Sequence, residues 1–197
     1  MRAGIDGYTA NGHTTMSSGP FVTLPDYLPP RPDILFVGIN PGAYSAQQGH
    51  YYARSTNRFW WALHASGLVP VPLSPWEDWR VVEFRLGLTD LVKRPTGSSP
   101  EVRRHEFADG RQGLAAKIRR IKPLIIFFNG LTGYQHFFSE HAEAGRQRRR
   151  YEGALVYVVP STSARNATYS RSAVLAHFLA LKSLRDELWL LSECQGG

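Results

Sequence analysis

The chain is short of cysteine, of acidic residues and of long apolar runs, and each shortage excludes something. Cys194 is the only cysteine among 197 residues. That rules out an intrachain disulfide framework and a four-cysteine iron–sulfur cluster, and it suits a reducing compartment. No apolar run approaches the ~20 residues that cross a bilayer, so no membrane association is expected. The first residues lack the apolar core of a signal peptide, so the expected location is cytoplasmic, nucleoid-associated in a bacterium. Acids number 16 against 23 Lys and Arg, a formal charge of +7. Such a surplus favours a polyanionic partner. Internal repeats and low-complexity blocks are also missing, and the length suits one core.

What is present is an alternation of buried strands and helices. Residues 1–28 are rich in Gly, Ser and Thr and read as a tail or an extended wrap, with "PPRP" (29–32) opening a single domain over 29–197. "ILFVGI" (34–39), "LIIFF" (124–128) and "ALVYVV" (154–159) are continuous apolar runs suited to strands covered on both faces. "LGLTDLV" (86–92) fits either a strand or a pocket-lining loop. Helices are expected after Ser55 or Thr56 as cap, ending at Gly67, and over 109–121. Another follows Val174, Phe178, Leu181, Leu184, Leu188 and Leu191, which recur at helical spacing. The order predicts an α/β fold, a three-layer α/β/α sandwich around a mostly parallel sheet.

In such sheets ligands sit beyond the carboxyl ends of the strands. "GINPG" (38–42) occupies that place. Gly38 and Gly42 allow tight turns and close approach, while Pro41 stiffens the loop. It is not a phosphate loop, having no Gly-Lys-Ser/Thr. Taken alone, Asn40 reads as a turn residue.

The wider context is more specific. "GINPG", "GHYY" (49–52), "NRFWWALHASGL" (57–68), "LTDLVKRPT" (88–96), "FNG" (128–130), "VPSTSAR" (159–165) and "LKSLRDEL" (181–188) follow one another in order. Together they resemble the mismatch-specific uracil/thymine-DNA glycosylase family across about residues 31–190. The resemblance implies a monofunctional enzyme, likewise α/β/α and without a cofactor. It would flip a base out of duplex DNA containing a G·U or G·T mismatch and hydrolyse its N-glycosidic bond. It also implies that Asn40 positions the attacking water. An amide oxygen accepts a hydrogen bond from water but does not take its proton, and the uracil anion is a tolerable leaving group. Gly38, Ile39, Ala43, Tyr51 and Tyr52 correspond to the base pocket. Tyr52 matches the stacking aromatic, and backbone N–H groups around Ile39 and Tyr52 suit the base carbonyls. By themselves both tyrosines would pass for pocket-wall packing. Asn57 and Arg58 read as a helix-start pair, with a DNA-backbone contact as the alternative for Arg58.

Asp90 departs from the pattern, since relatives carry Asn or Lys there. A carboxylate can accept the proton of attacking water, so Asp90 is expected to assist Asn40. A local cap or an ion pair with Lys93 or Arg94 is the other reading. "PSTSAR" (160–165) resembles the loop that fills the gap left by the flipped base, with Ala164 and Arg165 at the tip. Ser161 and Ser163 suit phosphates, and Asn166 and Arg171 extend the DNA-binding surface. "GRQRRR" (145–150) reads as a solvated charge run at the amino end of the last strand, away from that loop. The histidines show no ligand spacing, so no metal is expected. Two other activities remain open, a free-nucleotide enzyme and a non-catalytic mismatch-binding module. A monomer is the expected state.

Overall fold

The structure, a computed structural model, describes residues 22–166 and 169–195. The strands are β1 (Ile34–Gly38), β2 (Leu86–Asp90), β3 (Ile125–Asn129), β4 (Gly145–Tyr151) and β5 (Ala154–Val159). The helices are α1 (Ala43–Gln48), α2 (Phe59–Ala65), α3 (Arg104–Ile121), α4 (Leu131–Phe138) and α5 (Arg171–Gln195). The sheet order is β2-β1-β3-β5-β4, with β4 alone antiparallel. β1, β2, β3 and β5 are buried at every position, as the apolar runs through β1, β3 and β5 require, and β2 is buried although it carries Thr89 and Asp90. One face of the sheet packs on α2 and α5, the other on α3 and α4, so the α/β/α sandwich is the observed fold.

Four phenylalanines tie the first face together. Phe36 meets Phe127 at 4.9 Å and Phe59 at 5.2 Å, both edge-on, and Phe178 lies over Phe127 at 5.4 Å. Each fully buried phenylalanine contributes roughly 2 kcal/mol. The cluster reaches the sheet's carboxyl end through Phe59.

β4 corrects the reading of residues 145–150. They form an edge strand in which the exposed Arg146, Arg148 and Arg150 alternate with half-buried residues, a pattern that discourages pairing with another sheet. Because β4 is antiparallel, Arg150 pairs with Leu155 near the amino end of β5, while Arg146 returns beside Tyr157. The whole run therefore does not lie at one end. The cap of α2 is neither Ser55 nor Thr56. Asn57 Oδ1 accepts from the Phe59 N–H at 3.0 Å. α3 starts earlier than its apolar periodicity indicates, at Arg104, and α4 follows β3 directly. On α5 the buried stripe runs from Val174 to Leu184, whereas Leu191 is exposed.

Residues 1–21 lie outside the described residues. From residue 22 the chain lies on the body: Leu24 is buried and Tyr27 bridges Leu88 on the free edge of β2. Asp26 bonds Thr89 and pairs with Lys93 and Lys117. On the other side of β2, α3 approaches so closely that a Cβ at Gly110 would lie 2.2 Å from the Leu91 carbonyl oxygen. Helix propensity alone favours Gly→Ala. Here the backbone contact outweighs it, and Gly110→Ala is expected to lower stability by about 2–3 kcal/mol in urea unfolding.

Candidate functional site

The strands β1, β2, β3 and β5 end at one cleft of about 650 Å³. Its position follows from register. Gly38 is paired with Asp90, and the pairing continues past the strands, with Leu91 N–H on Gly38 O and Val92 N–H on Ile39 O. Further on, Ala43 N–H donates to Thr96 O and Thr96 N–H to Pro41 O. The GINPG loop is thus stitched to residues 91–96 by backbone bonds.

Asn40 is oriented by that stitching. Its Nδ2 donates to Thr96 Oγ1 at 2.8 Å, Arg94 O at 2.9 Å and Pro41 O at 3.2 Å. Three acceptors on one side define the amide's orientation, leaving Oδ1 as an acceptor at the cleft wall.

Asp90 is 3% exposed and its carboxyl group sits over Gly38, where a Cβ would come within 2.3 Å of Oδ1. The two cations proposed as partners are engaged elsewhere: Lys93 on Asp26 at 2.8 Å, Arg94 on Glu106 at 2.6 Å. Asp90 Oδ2 and the hydroxyls of Tyr51 and Tyr52 are buried without a hydrogen-bond partner. Burial pushes the Asp90 pKa up to about 7, with Lys93 and Lys117 pulling it down and Asp26 pushing it up. Burial and the neighbouring Asp90 also raise both tyrosines.

Tyr52 lines the cleft and Tyr51 does not. Tyr52 adopts φ 52°, a left-handed conformation that costs a non-glycine residue about 1–2 kcal/mol. Its ring stacks on Phe59 at 4.1 Å. Tyr51 is 1% exposed and lies behind the wall, against its expected place in the base pocket. Its N–H donates to Asp78 at 2.8 Å and its carbonyl accepts from Trp60 Nε1 at 3.0 Å. The two neighbours diverge because the turn at Tyr52 rotates one ring out of the core.

The loop after β5 forms the opposite rim. Ser161, Ser163, Arg165 and Asn166 line the cleft together with Gly38, Ile39, Asn40, Ala43 and Asp90. Ala164 is exposed at the tip. Arg171 stands apart, its guanidinium over the Trp61 ring at 3.9 Å. Arg165 reaches across the cleft to donate to Gly97 O at 2.6 Å.

Two side chains singled out weakly or not at all in the sequence hold this rim. Asn129, at the end of β3, exchanges hydrogen bonds with Thr162: Nδ2 to Oγ1 at 2.9 Å and Thr162 N–H to Oδ1 at 3.0 Å. Arg58 donates to the carbonyls of Ser161, Thr162, Ser163, Asn166 and Tyr169. Its guanidinium therefore faces its own protein rather than solvent. The signals in the sequence were the pairing of Asn57 with Arg58 at a helix start and, for Asn129, its place in "FNG" (128–130).

One cleft at the carboxyl end of a parallel sheet thus brings together an oriented amide, a buried carboxyl group and an Arg-tipped loop. The sequence profile of the Uracil DNA glycosylase superfamily matches residues 25–183, and the chain belongs to that superfamily. Membership implies a DNA glycosylase, a hydrolase of N-glycosyl bonds acting on DNA. The fold is also that of a candidate uracil DNA glycosylase from Methanosarcina acetivorans, solved by solution NMR. The TM-score is 0.58 and the identity 22%, covering 81% of this chain and 97% of that one.

Proposed function

We propose that the chain is a monofunctional, monomeric glycosylase that removes uracil opposite guanine in duplex DNA. The observation that carries the reading is the Asn40 amide, braced through Nδ2 with Oδ1 left as an acceptor, in one cleft with the buried Asp90.

In this reaction the C1′–N1 bond breaks and its electron pair leaves with the base as the uracil anion. A water oxygen bonds to C1′, and its proton passes to the Asp90 carboxylate. Asn40 Oδ1 accepts one hydrogen bond from that water and fixes its approach. The ionised form of Asp90 is the one that serves, and it stabilises the positive charge growing on the sugar. Tyr52 offers the flipped base a ring already held by Phe59. Ala43 puts only a methyl group on the wall, which favours admitting a 5-methylated base, so thymine opposite guanine belongs to the same reading.

The test is single-turnover base release from G·U, G·T and single-stranded substrates. Wild type is expected to release uracil from G·U, and Asn40→Ala to slow this about tenfold to a hundredfold. Tight mismatch binding with no release would transfer the protein to the non-catalytic module.

A further inference from the structure

A second groove, of about 640 Å³, lies between α3 and α4 and shares Ser99, Pro100 and Thr132 with the catalytic cleft. The two adjoin at these residues. Phe107 and His136 make the floor, their rings stacked at 3.6 Å and 6°. Arg104 and Arg111 stand on its α3 side. Burial holds His136 below its usual range, and Arg111 and Arg104 depress it further, so both guanidiniums act at this floor.

These arginines differ from nine other cations among the described residues, which are already neutralised. Arg80, Arg85, Lys93, Arg94, Lys117, Arg119, Arg149, Lys182 and Arg185 all pair with carboxylates. Among the described residues neither Arg104 nor Arg111 forms an ion pair, and Arg111 is anchored by donating to His136 O at 2.8 Å. An anchored guanidinium loses less freedom when it takes up an anion, and it keeps further N–H groups to donate. A neutral, stacked floor below two unneutralised guanidiniums suits a phosphodiester, which needs donors along a channel and no deep pocket.

We infer that this groove is a DNA-backbone subsite: Arg104 and Arg111 bind phosphates of the strand flanking the flipped nucleotide, on one side of the lesion only. The inference rests on the glycosylase reading for its ligand. It extends the contact surface beyond the loop after β5, past residues 97–100, which Arg165 already reaches at Gly97.

The test compares wild type with the double variant Arg104→Gln/Arg111→Gln, and with Arg120→Gln, an exposed residue near the other end of α3. Dissociation constants for a G·U duplex are measured across salt concentration. Two lost phosphate contacts reduce the slope of log K against log salt by roughly 2 and weaken binding at low salt, while Arg120→Gln leaves both near wild type. Shortening the duplex on the groove side of the uracil erases the difference between the double variant and wild type. Shortening it on the other side preserves the difference. An unchanged slope, a loss equal to that of Arg120→Gln, or a difference indifferent to which flank is removed overturns the subsite. Uracil release is followed in the same samples. Release by wild type with an unchanged slope in the variant sinks the groove alone. Absent release sinks the glycosylase reading while the slopes still judge the groove, and absent DNA binding sinks both.

Discussion

Asp90→Asn is expected to cut single-turnover uracil release at pH 8 by about 10²–10⁴-fold, the range of a positioned general base. It is also expected to flatten the pH profile. With a pKa of about 7, wild-type Asp90 is largely protonated below neutrality and ionised above it, so release rises with pH through that value. The amide variant has nothing to titrate there. Stability moves the opposite way. The Asp90 pKa is about 7 in the folded protein against an ordinary value of 3.8. A raised pKa contributes stability that is fully present below pH 3.8 and is lost as pH rises through 7. At about 1.4 kcal/mol per pH unit, ionising this buried group costs the fold roughly 4 kcal/mol. Asp90→Asn should therefore be more stable than wild type at pH 8, and the gain should shrink towards pH 5, as urea unfolding at the two pH values would show. A variant with a wild-type rate and profile would return Asp90 to a structural role, with Asn40 acting alone.

Arg58→Met is expected to reduce release from duplex DNA by about 10²–10³-fold while changing release from single-stranded DNA much less. Five carbonyls of residues 161–169 converge on this one guanidinium. A methionine of similar length satisfies none of them. The loop tip then loses the shape that the proposed reading needs for entry into a duplex, and a small misplacement in a positioning element is worth about two orders of magnitude. Single-stranded uracil needs no extrusion from a stack, so the loop matters less there. Arg58→Lys should not restore the duplex rate, because an ammonium has three donors at one point and cannot span the fan. Equal losses on both substrates would mean general damage to the fold, and rescue by lysine would mean that charge alone matters.

How far the sequence foretold this molecule depends on where each residue finds its partners. β1, β3 and β5 were legible because their burial is written in consecutive apolar residues. β4 was hidden because an edge strand needs no apolar face, and its arginines read as a solvated run. Asn40 was legible from the turn it occupies and from the motifs around it. The partners of Lys93 and Arg94 were not, since Asp26 and Glu106 come from a segment before the sheet and from α3. Arg58 was misjudged for the same reason: its acceptors are backbone carbonyls over a hundred positions away, and no side-chain pattern marks them. Tyr51 and Tyr52 were both expected in the base pocket, Tyr52 as its stacking ring, and only the backbone conformation at 52 separated them.

The contact between Gly38 and Asp90 limits how this cleft can change by mutation. A methyl group at 38 would stand 2.3 Å from the carboxylate oxygen, with the Tyr52 hydroxyl 3.6 Å away on the same side. The two positions therefore cannot vary independently, and the order of substitutions matters. A lineage that first acquires alanine at 38 displaces the acid and passes through an impaired intermediate. One that first gives up the carboxylate loses what it contributes but frees the strand end to change. Any library built on this scaffold meets the same one-way path.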